Sequence, residues 1–280
     1  MLGSHYPSCR RLRELLEAAR ESVALYYSLV EPVMGHDRHR ETLASSRILH
    51  DTGCYRECVH VSELRERVNG KRICVFGPLA ALFGELEPYL EGCDEVASPE
   101  GGHVALVSAG LRPLFITSDL DSSLSSLSTL SYYASYLLVH LHSDNHYRVS
   151  WATACSSPYG ARVVYTSQVE TVGCTLPLGG YTDGDRAVVL SIALGAAEVR
   201  MIGFGRLRER GLEALRAFAI PYKDYADDRL LEASSAKHSL GLMLLQELAR
   251  RKGYKLRVSK PREPGAGDTI LFERGAQGAE

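Results

Sequence analysis

From Lys71 onward, short apolar runs alternate with longer segments of helical periodicity, and this alternation constrains the fold more than any other feature. Short apolar runs bounded by turn residues are typical of buried strands. Strands that alternate with helices predict a largely parallel sheet with helices on both faces, so the predicted fold class is α/β. The predicted strands are 72–76, 95–98, 114–117, 137–140, 162–165 and 198–203, with a closing hairpin of 254–259 and 269–273.

The part of the sequence that precedes this alternation is predicted to be helical. Apolar spacing predicts helices over 11–29, 38–50 and 61–68, and Asn69-Gly70 ends the third because both residues tolerate a left-handed turn. Further helices are predicted over 80–90, 102–109, 185–194 and 234–252. We therefore expect an N-terminal helical segment (1–69), an α/β domain (70–275) and a disordered tail (276–280).

Composition narrows the function classes. The 280 residues carry a formal net charge of −2 with no basic block, which argues against nucleic acid as a partner. No apolar run approaches the roughly 20 residues of a membrane span, and the N-terminus has no apolar signal core. The expectation is a cytoplasmic protein without a membrane partner, and whether it forms a homo-oligomer is left open.

The seven cysteines are scattered, and their spacing does not predict a disulfide framework. Cys54 and Cys58 are four residues apart and could share a helix face and a zinc ion. No second pair of ligands lies nearby at zinc-finger spacing, so ordinary small apolar residues are the favoured interpretation.

Three acidic clusters lie in the middle of the chain, at 117–122, 140–145 and 179–186. The first two follow predicted strands, and the third follows a pair of glycines. An open α/β sheet places its ligand site at the carboxyl ends of its strands. Three clusters that converge on that edge would form a site for a hard cation of the Mg²⁺ type, as nucleoside triphosphate chemistry needs.

In the first cluster, Asp119 and Asp121 flank Leu120. On a strand end this spacing places both carboxylates on one face and turns Leu120 away. Mg²⁺ prefers a few carboxylates and keeps positions for phosphate oxygens and water. The alternative is that Asp121 caps a following helix.

The second cluster contains His140, His142, Asp144 and Asn145. Two histidines at i and i+2 on a strand end could face the site together. Zinc is an option, but the Asp and Asn neighbours favour a metal that prefers oxygen ligands. The alternative is a histidine satisfied within the turn, with Asp144 capping a loop.

In the third cluster, Gly179-Gly180 would let backbone amides approach a phosphate, which Arg186 could hold bidentately. The alternative is a capped helix, since Thr182 and Asp185 have capping-box spacing. Lys237, in the first turn of the last long helix, could also reach an anion, and the alternative is a solvated first turn. The chain contains no GxxxxGK[ST] and no GxGxxG after a strand, so neither a P-loop nor dinucleotide binding is supported.

Together the three clusters resemble the archaeal 6-hydroxymethyl-7,8-dihydropterin pyrophosphokinases, whose catalytic domain is similar to that of thiamine pyrophosphokinases. The family pattern has Asp-Leu-Asp after a strand, His-x-His-Gly-Asp-Asn, and Gly-Gly-Phe-Thr-Asp-Gly-Asp-Arg-Ala. This chain has Asp-Leu-Asp at 119–121, His-Leu-His-Ser-Asp-Asn at 140–145, and Gly-Gly-Tyr-Thr-Asp-Gly-Asp-Arg-Ala at 179–187. The match in order and spacing extends from about Lys71 to about Leu248.

The chain departs from the family pattern at two places. The pattern has Ala-Asp-Gly-Ala at the end of the second strand, whereas this chain has Ala-Ser-Pro-Glu-Gly-Gly at 97–102, with Glu100 as the nearest acidic replacement. The Gly of the histidine motif is Ser143 here. These changes bear on the acceptor pocket more than on the metal site.

The resemblance implies Mg²⁺-dependent transfer of pyrophosphate from ATP to a hydroxymethyl acceptor, with release of AMP. It assigns the metal to Asp119 and Asp121, with Asp144 and Asp185 beside or behind them. Proton transfer would fall to one of these carboxylates or to His142. The residues assigned to ATP and phosphate are Asn145, Thr182, Asp183, Arg186 and Lys237.

Three alternatives stay open. One keeps the chemistry and changes the acceptor, for example to thiamine, because the second-strand motif is altered. Another is a sugar-nucleotide glycosyltransferase, since Asp119-Leu120-Asp121 also fits its Asp-x-Asp pattern. The last is a non-catalytic nucleotide-binding relative, which would bind Mg·ATP without turnover.

Overall fold

The computed structural model describes residues 8–34, 37–52, 57–121, 130, 132–143, 145, 148–149, 162–169, 175–204, 228–259 and 269–275. Over these residues nine strands form one sheet in the order β6-β5-β4-β3-β2-β1-β7-β9-β8. The strands are β1 (Arg72–Phe76), β2 (Glu95–Pro99), β3 (Phe115–Ser118), β4 (Tyr136–Leu141), β5 (Arg162–Ser167), β6 (Leu176–Pro177), β7 (Glu198–Ile202), β8 (Tyr254–Ser259) and β9 (Thr269–Arg274). Strands β1 to β7 pair in parallel, and the antiparallel β8–β9 hairpin adds to β7. The predicted α/β class and closing hairpin are confirmed.

The helices are α1 (Ser8–Leu29), α2 (Glu31–Met34), α3 (Arg38–Thr52), α4 (Glu57–Val68), α5 (Glu87–Leu90), α6 (His103–Ser108), α7 (Asp183–Ala193) and α8 (Asp228–Arg251), with 3₁₀ turns at Pro78–Leu82 and Glu100–Gly102. The helix predicted over 80–90 is wrong, because the chain is extended at Phe83 between the first 3₁₀ turn and α5. Pro88 lacks an amide hydrogen and fits only the first turn of a helix, so α5 starts just before it. None of the described helices is long and apolar enough to cross a membrane.

Side chains of the sheet alternate between two apolar layers, as the period of two in a strand requires. Ile73 and Val75 of β1 belong to the main core, whereas Cys74 and Phe76 face a smaller cluster on the other side. The main core also contains Leu25 of α1 along with residues of α4, α7 and α8. The N-terminal helices therefore pack directly on the face of the sheet that α7 covers.

A disulfide joins Cys74 in β1 to Cys93 in the turn before β2, with 5.7 Å between their Cα atoms. The sequence did not predict this bond. The parallel pairing of β1 with β2 places Cys74 opposite Val96 and so brings the preceding turn alongside β1. Spacing along the chain carries no information about that contact.

Helix α7 connects the edge of the sheet to its middle and starts beside the carboxyl end of β3. The Thr117 hydroxyl donates to the carbonyl of Asp183 at 2.7 Å, which fixes the first turn of α7 against that strand. Immediately upstream, Gly180 has φ 139°, a value that side chains rarely adopt, and it lies against the Arg186 side chain. A left-handed residue is needed here because the chain turns sharply from β6 into α7.

Gly179→Ala should destabilise the protein by about 1–3 kcal/mol, the usual cost of overpacking a core. A Cβ at residue 179 would lie 2.0 Å from the backbone oxygen of Ser22, so α1 would have to move away from β6. Urea unfolding of the full chain measures the loss. Gly84→Ala is the matched control, since its Cβ would meet nothing within 4 Å. Equal stability of the two variants would contradict this packing.

Candidate metal and phosphate site

Three carboxylates meet at the carboxyl ends of β2 and β3. One oxygen each from Glu100, Asp119 and Asp121 lie within 4.8 Å of one another. Glu100 opens the 3₁₀ turn that follows β2, and the two aspartates follow β3, which pairs with β2 in parallel. Asp119 and Asp121 of the first predicted cluster therefore lie together on this edge, and the third member is Glu100, which the sequence offered only as a replacement for the Asp of the family pattern.

Glu100 is the most buried member, with 4% of its surface exposed. Its Oε2 accepts a hydrogen bond from the Ser118 hydroxyl, and its Oε1 has no hydrogen-bond partner among the described residues. Burial raises the pKa of Glu100 to about 8, the Ser118 bond opposes this, and the nearby charges of Asp121 and Asp119 add to it. A buried carboxylate with an unpartnered oxygen is one that a cation would stabilise.

The Asp-Leu-Asp sequence forms a turn rather than the end of a strand. Strand β3 ends at Ser118, whose hydroxyl accepts from the amide of Leu120 at 2.8 Å. Leu120 has φ 62° and is buried in the apolar cluster behind the sheet. The two carboxylates do lie on one side with Leu120 turned away, but a left-handed turn produces this arrangement in place of the predicted strand pleat.

The first turn of α7 contributes the carboxylate of Asp183 and the guanidinium of Arg186. Arg186 Nη1 donates to Asp183 Oδ1 at 3.0 Å and lies 3.9 Å from Asp119 Oδ2. Only 3% of the Arg186 side chain is exposed, so protein groups hold its guanidinium in place. Burial and the Asp119 charge raise the pKa of Asp183 well above its usual range, although Arg186 opposes the shift.

The rings of the two histidines of the second motif are in contact, and His142 is the one that faces the carboxylates. Their ring centroids are 4.7 Å apart. His142 Nε2 lies 3.2 Å from Arg186 Nη2 and 3.9 Å from Asp119 Oδ2. His140 is buried beneath it, where its Nδ1 bonds the Thr166 hydroxyl at 2.9 Å, and burial lowers its pKa well below the usual value.

Asn145 joins the loops of the site. Its side-chain amide donates to the carbonyls of Asp119 and His140, and its Oδ1 accepts from the amide of His142 at 3.0 Å. All these partners belong to the protein, so the observed contacts of Asn145 are structural. Its assignment to ATP stays a prediction.

Thr182 and Asp185 form the capping box that was the alternative interpretation of this segment. The Thr182 hydroxyl accepts from the Asp185 amide, and Asp185 Oδ2 accepts from the amides of Thr182 and Tyr181. Gly241 of α8 packs against the same carboxylate. Asp185 is therefore occupied at the helix start and is not in the group formed by Glu100, Asp119 and Asp121; its metal role stays a prediction.

Other sequence assignments fall where the structure gives no side-chain position. Asp144 and Cys54 lie outside the described residues, as does the tail 276–280. Helix α8 begins at Asp228, so Lys237 lies well inside it and not in its first turn as predicted. The side chains of Lys237 and of Cys58, which lies in α4, are outside the described residues.

The residues present fit Mg²⁺. Carboxylate oxygens are its preferred protein ligands, and the three carboxylates leave room for further oxygen ligands. Among the described residues near them, the positive charges are the guanidiniums of Arg186 and Arg148, fewer than the carboxylates of Glu100, Asp119, Asp121 and Asp183. Burial raises the pKa of Glu100 and Asp183, and a bound divalent cation would favour the ionised form of these carboxyl groups.

Comparison with known proteins agrees with the motifs. No protein-family model matches the chain. Three archaeal proteins named 6-hydroxymethyl-7,8-dihydropterin pyrophosphokinase are similar to it, so the resemblance drawn from the sequence is confirmed. The Methanothermobacter thermautotrophicus protein is 29% identical over 193 residues, covering 66% of this chain and 78% of the relative. The Pyrococcus furiosus protein is 26% identical over 64% of this chain and 74% of its own length. The Methanocaldococcus jannaschii protein is 21% identical over 64% and 76%.

We expect the stability of the metal-free protein to fall as pH rises from 5 to 8. Glu100 has its pKa raised from 4.5 to about 8 in the folded state, so over this range the folded protein holds a proton that the unfolded chain has lost. Glu100→Gln should remove part of this fall and be more stable than wild type at pH 8. Thermal unfolding in EDTA at several pH values measures it, with Glu85→Gln as the control on the protein surface. Parallel pH profiles for wild type and Glu100→Gln would contradict the assignment.

Proposed function

We propose that this chain is an enzyme that transfers pyrophosphate from ATP to 6-hydroxymethyl-7,8-dihydropterin and releases AMP, with Mg²⁺ as cofactor. The observation that carries the proposal is the group of three carboxylates within 4.8 Å at the ends of β2 and β3. The names of the three archaeal relatives support the reaction and the acceptor.

Glu100, Asp119 and Asp121 would hold the metal. When bound, Mg²⁺ supplies positive charge that stabilises the phosphate oxygens as charge develops on them. The Oε1 of Glu100, which bonds none of the described residues, supports this set, since a buried carboxylate of this kind gains most from a cation.

The amino end of α7 supplies the rest of the positive potential. Its first turn, at Asp183, is bonded to Thr117 at the end of β3, so the helix begins at the carboxylates. Free backbone amides and the helix dipole at such an end favour phosphate. Arg186 adds a guanidinium in the same turn, and these groups would orient the triphosphate for in-line attack.

The proton of the attacking hydroxyl needs an acceptor in this cluster. His142 Nε2 already faces a donor, Arg186 Nη2, at 3.2 Å. That contact occupies the nitrogen that would accept the proton, so we assign proton acceptance to a carboxylate of the cluster in preference to His142.

The first test is incubation of the purified full chain with MgCl₂ and ATP, with 6-hydroxymethyl-7,8-dihydropterin or thiamine added in parallel, and chromatographic detection of AMP. AMP is expected with the pterin alone. AMP with thiamine alone would keep the chemistry and replace the acceptor. No AMP with either would overturn the proposed transfer and direct the assay to sugar nucleotides and to binding of Mg·ATP without turnover.

Asp119→Ala should abolish metal-dependent ATP binding, and Asp121→Asn should lower kcat on the order of 100-fold, because each change removes an anionic ligand. Calorimetric titration of Mg·ATP and the AMP assay measure these effects. Glu85→Gln, an exposed carboxylate away from the site, should behave as wild type. Unchanged Mg·ATP binding by Asp119→Ala would contradict the metal assignment.

A further inference from the structure

Helix α3 of the N-terminal segment reaches the site through one carboxylate. Glu41 lies in the first turn of α3, which Asp37 caps by accepting from the amides of His39 and Arg40. Its Oε1 accepts from the Ser143 hydroxyl at 2.9 Å and its Oε2 from the Ser143 amide at 3.2 Å. Both oxygens thus hold the residue that follows His142, and the hydroxyl is present because Ser143 stands where the family pattern has Gly.

The docking of α3 is fixed one turn further along. The Ser45 hydroxyl lies 3.2 Å from the Ser167 hydroxyl at the end of β5, and both residues are fully buried. Residues i and i+4 share a helix face, so Glu41 and Ser45 present one edge of α3 to the ends of β4 and β5. Glu41 is therefore held in place by packing as well as by its hydrogen bonds.

His142 lies between Glu41 and Arg186. Its Nδ1 faces Glu41 Oε2 at 3.7 Å, and its Nε2 faces Arg186 Nη2 at 3.2 Å. A guanidinium can only donate hydrogen bonds, so Nε2 must accept. The proton of the neutral ring then lies on Nδ1, the nitrogen that faces the Glu41 carboxylate. Only 12% of the Glu41 side chain and 19% of the His142 side chain are exposed, so water competes little for these contacts.

We infer that Glu41 is a positioning residue which, through the Nδ1–H tautomer of His142, sets the orientation of the Arg186 guanidinium. The chain of contacts runs from the Glu41 carboxylate through His142 to Arg186 and ends at Asp183 Oδ1, 3.0 Å from Arg186 Nη1. Groups that orient a side chain in this way act on the chemistry without touching the reacting atoms. Its consequence for turnover rests on the proposed function, whereas the tautomer of His142 does not.

The experiment is ¹⁵N NMR of the histidine side chains in the full-length, metal-free protein at neutral pH, with the His142 signals assigned by their loss in His142→Gln. We expect the Nδ1–H tautomer in wild type. In Glu41→Gln, a neutral amide that can both donate and accept, we expect a mixture of tautomers. Glu66→Gln, an exposed carboxylate of α4, is the control and should leave the signals unchanged.

The AMP assay supplies the second readout. Glu41→Gln should lower kcat on the order of tenfold with little change in the KM for the pterin, as loss of an orienting partner does. An Nε2–H tautomer or an imidazolium in wild type overturns the inference, and so does an unchanged tautomer in Glu41→Gln whatever its activity. If wild type transfers no pyrophosphate, the proposed function fails, and the NMR result still decides the role of Glu41.

Discussion

The hydrogen bond from Ser118 to the buried carboxylate of Glu100 is the contact on which the site depends. It joins the ends of β2 and β3, and the same Ser118 oxygen accepts from the amide of Leu120, which sets the turn that presents Asp119 and Asp121. One hydroxyl therefore controls the spacing of all three carboxylates. A buried carboxyl beside two others is costly to ionise without a cation, and a metal at this position would lower that cost.

Much of the fold follows from sequence because its causes are local. The period of two in β1 and β4 and the buried apolar runs are visible along the chain, and so is the capping box of Thr182 and Asp185. The helix predicted over 80–90, between β1 and β2, was wrong because Phe83 is extended within an otherwise apolar, helix-like stretch. Its conformation follows from packing: its ring stacks on Tyr89 with centroids 4.5 Å apart.

The residues of the candidate site also fall into two groups: those that local sequence signals identify and those that only tertiary contacts identify. Asp119, Asp121, His142 and Arg186 were identified from motifs, since strand ends and helix starts leave local signals. Glu41 had no such signal, because its contact with Ser143 joins residues that are distant in sequence and depends on how α3 docks. Asp185 is the opposite case. It belongs to a motif, but in the structure its carboxylate caps the start of a helix. A motif indicates which part of the chain forms the site, and tertiary packing decides what each side chain in it contacts.

The hairpin of β8 and β9 affects whether the edge of this sheet can pair with strands of other chains. Without it, β7 would present an open row of amides and carbonyls to other chains, the usual template for aggregation. With it, the outermost strand is β8, which carries Lys255 and Arg257, with Arg257 near Glu273 at 3.6 Å. Charged side chains oppose the pairing of one sheet edge with another. At the opposite edge, β6 is only two residues long and is bonded through Gly179 to Ser22 of α1. Over the described residues, both margins of the nine-stranded sheet therefore carry features that oppose strand addition.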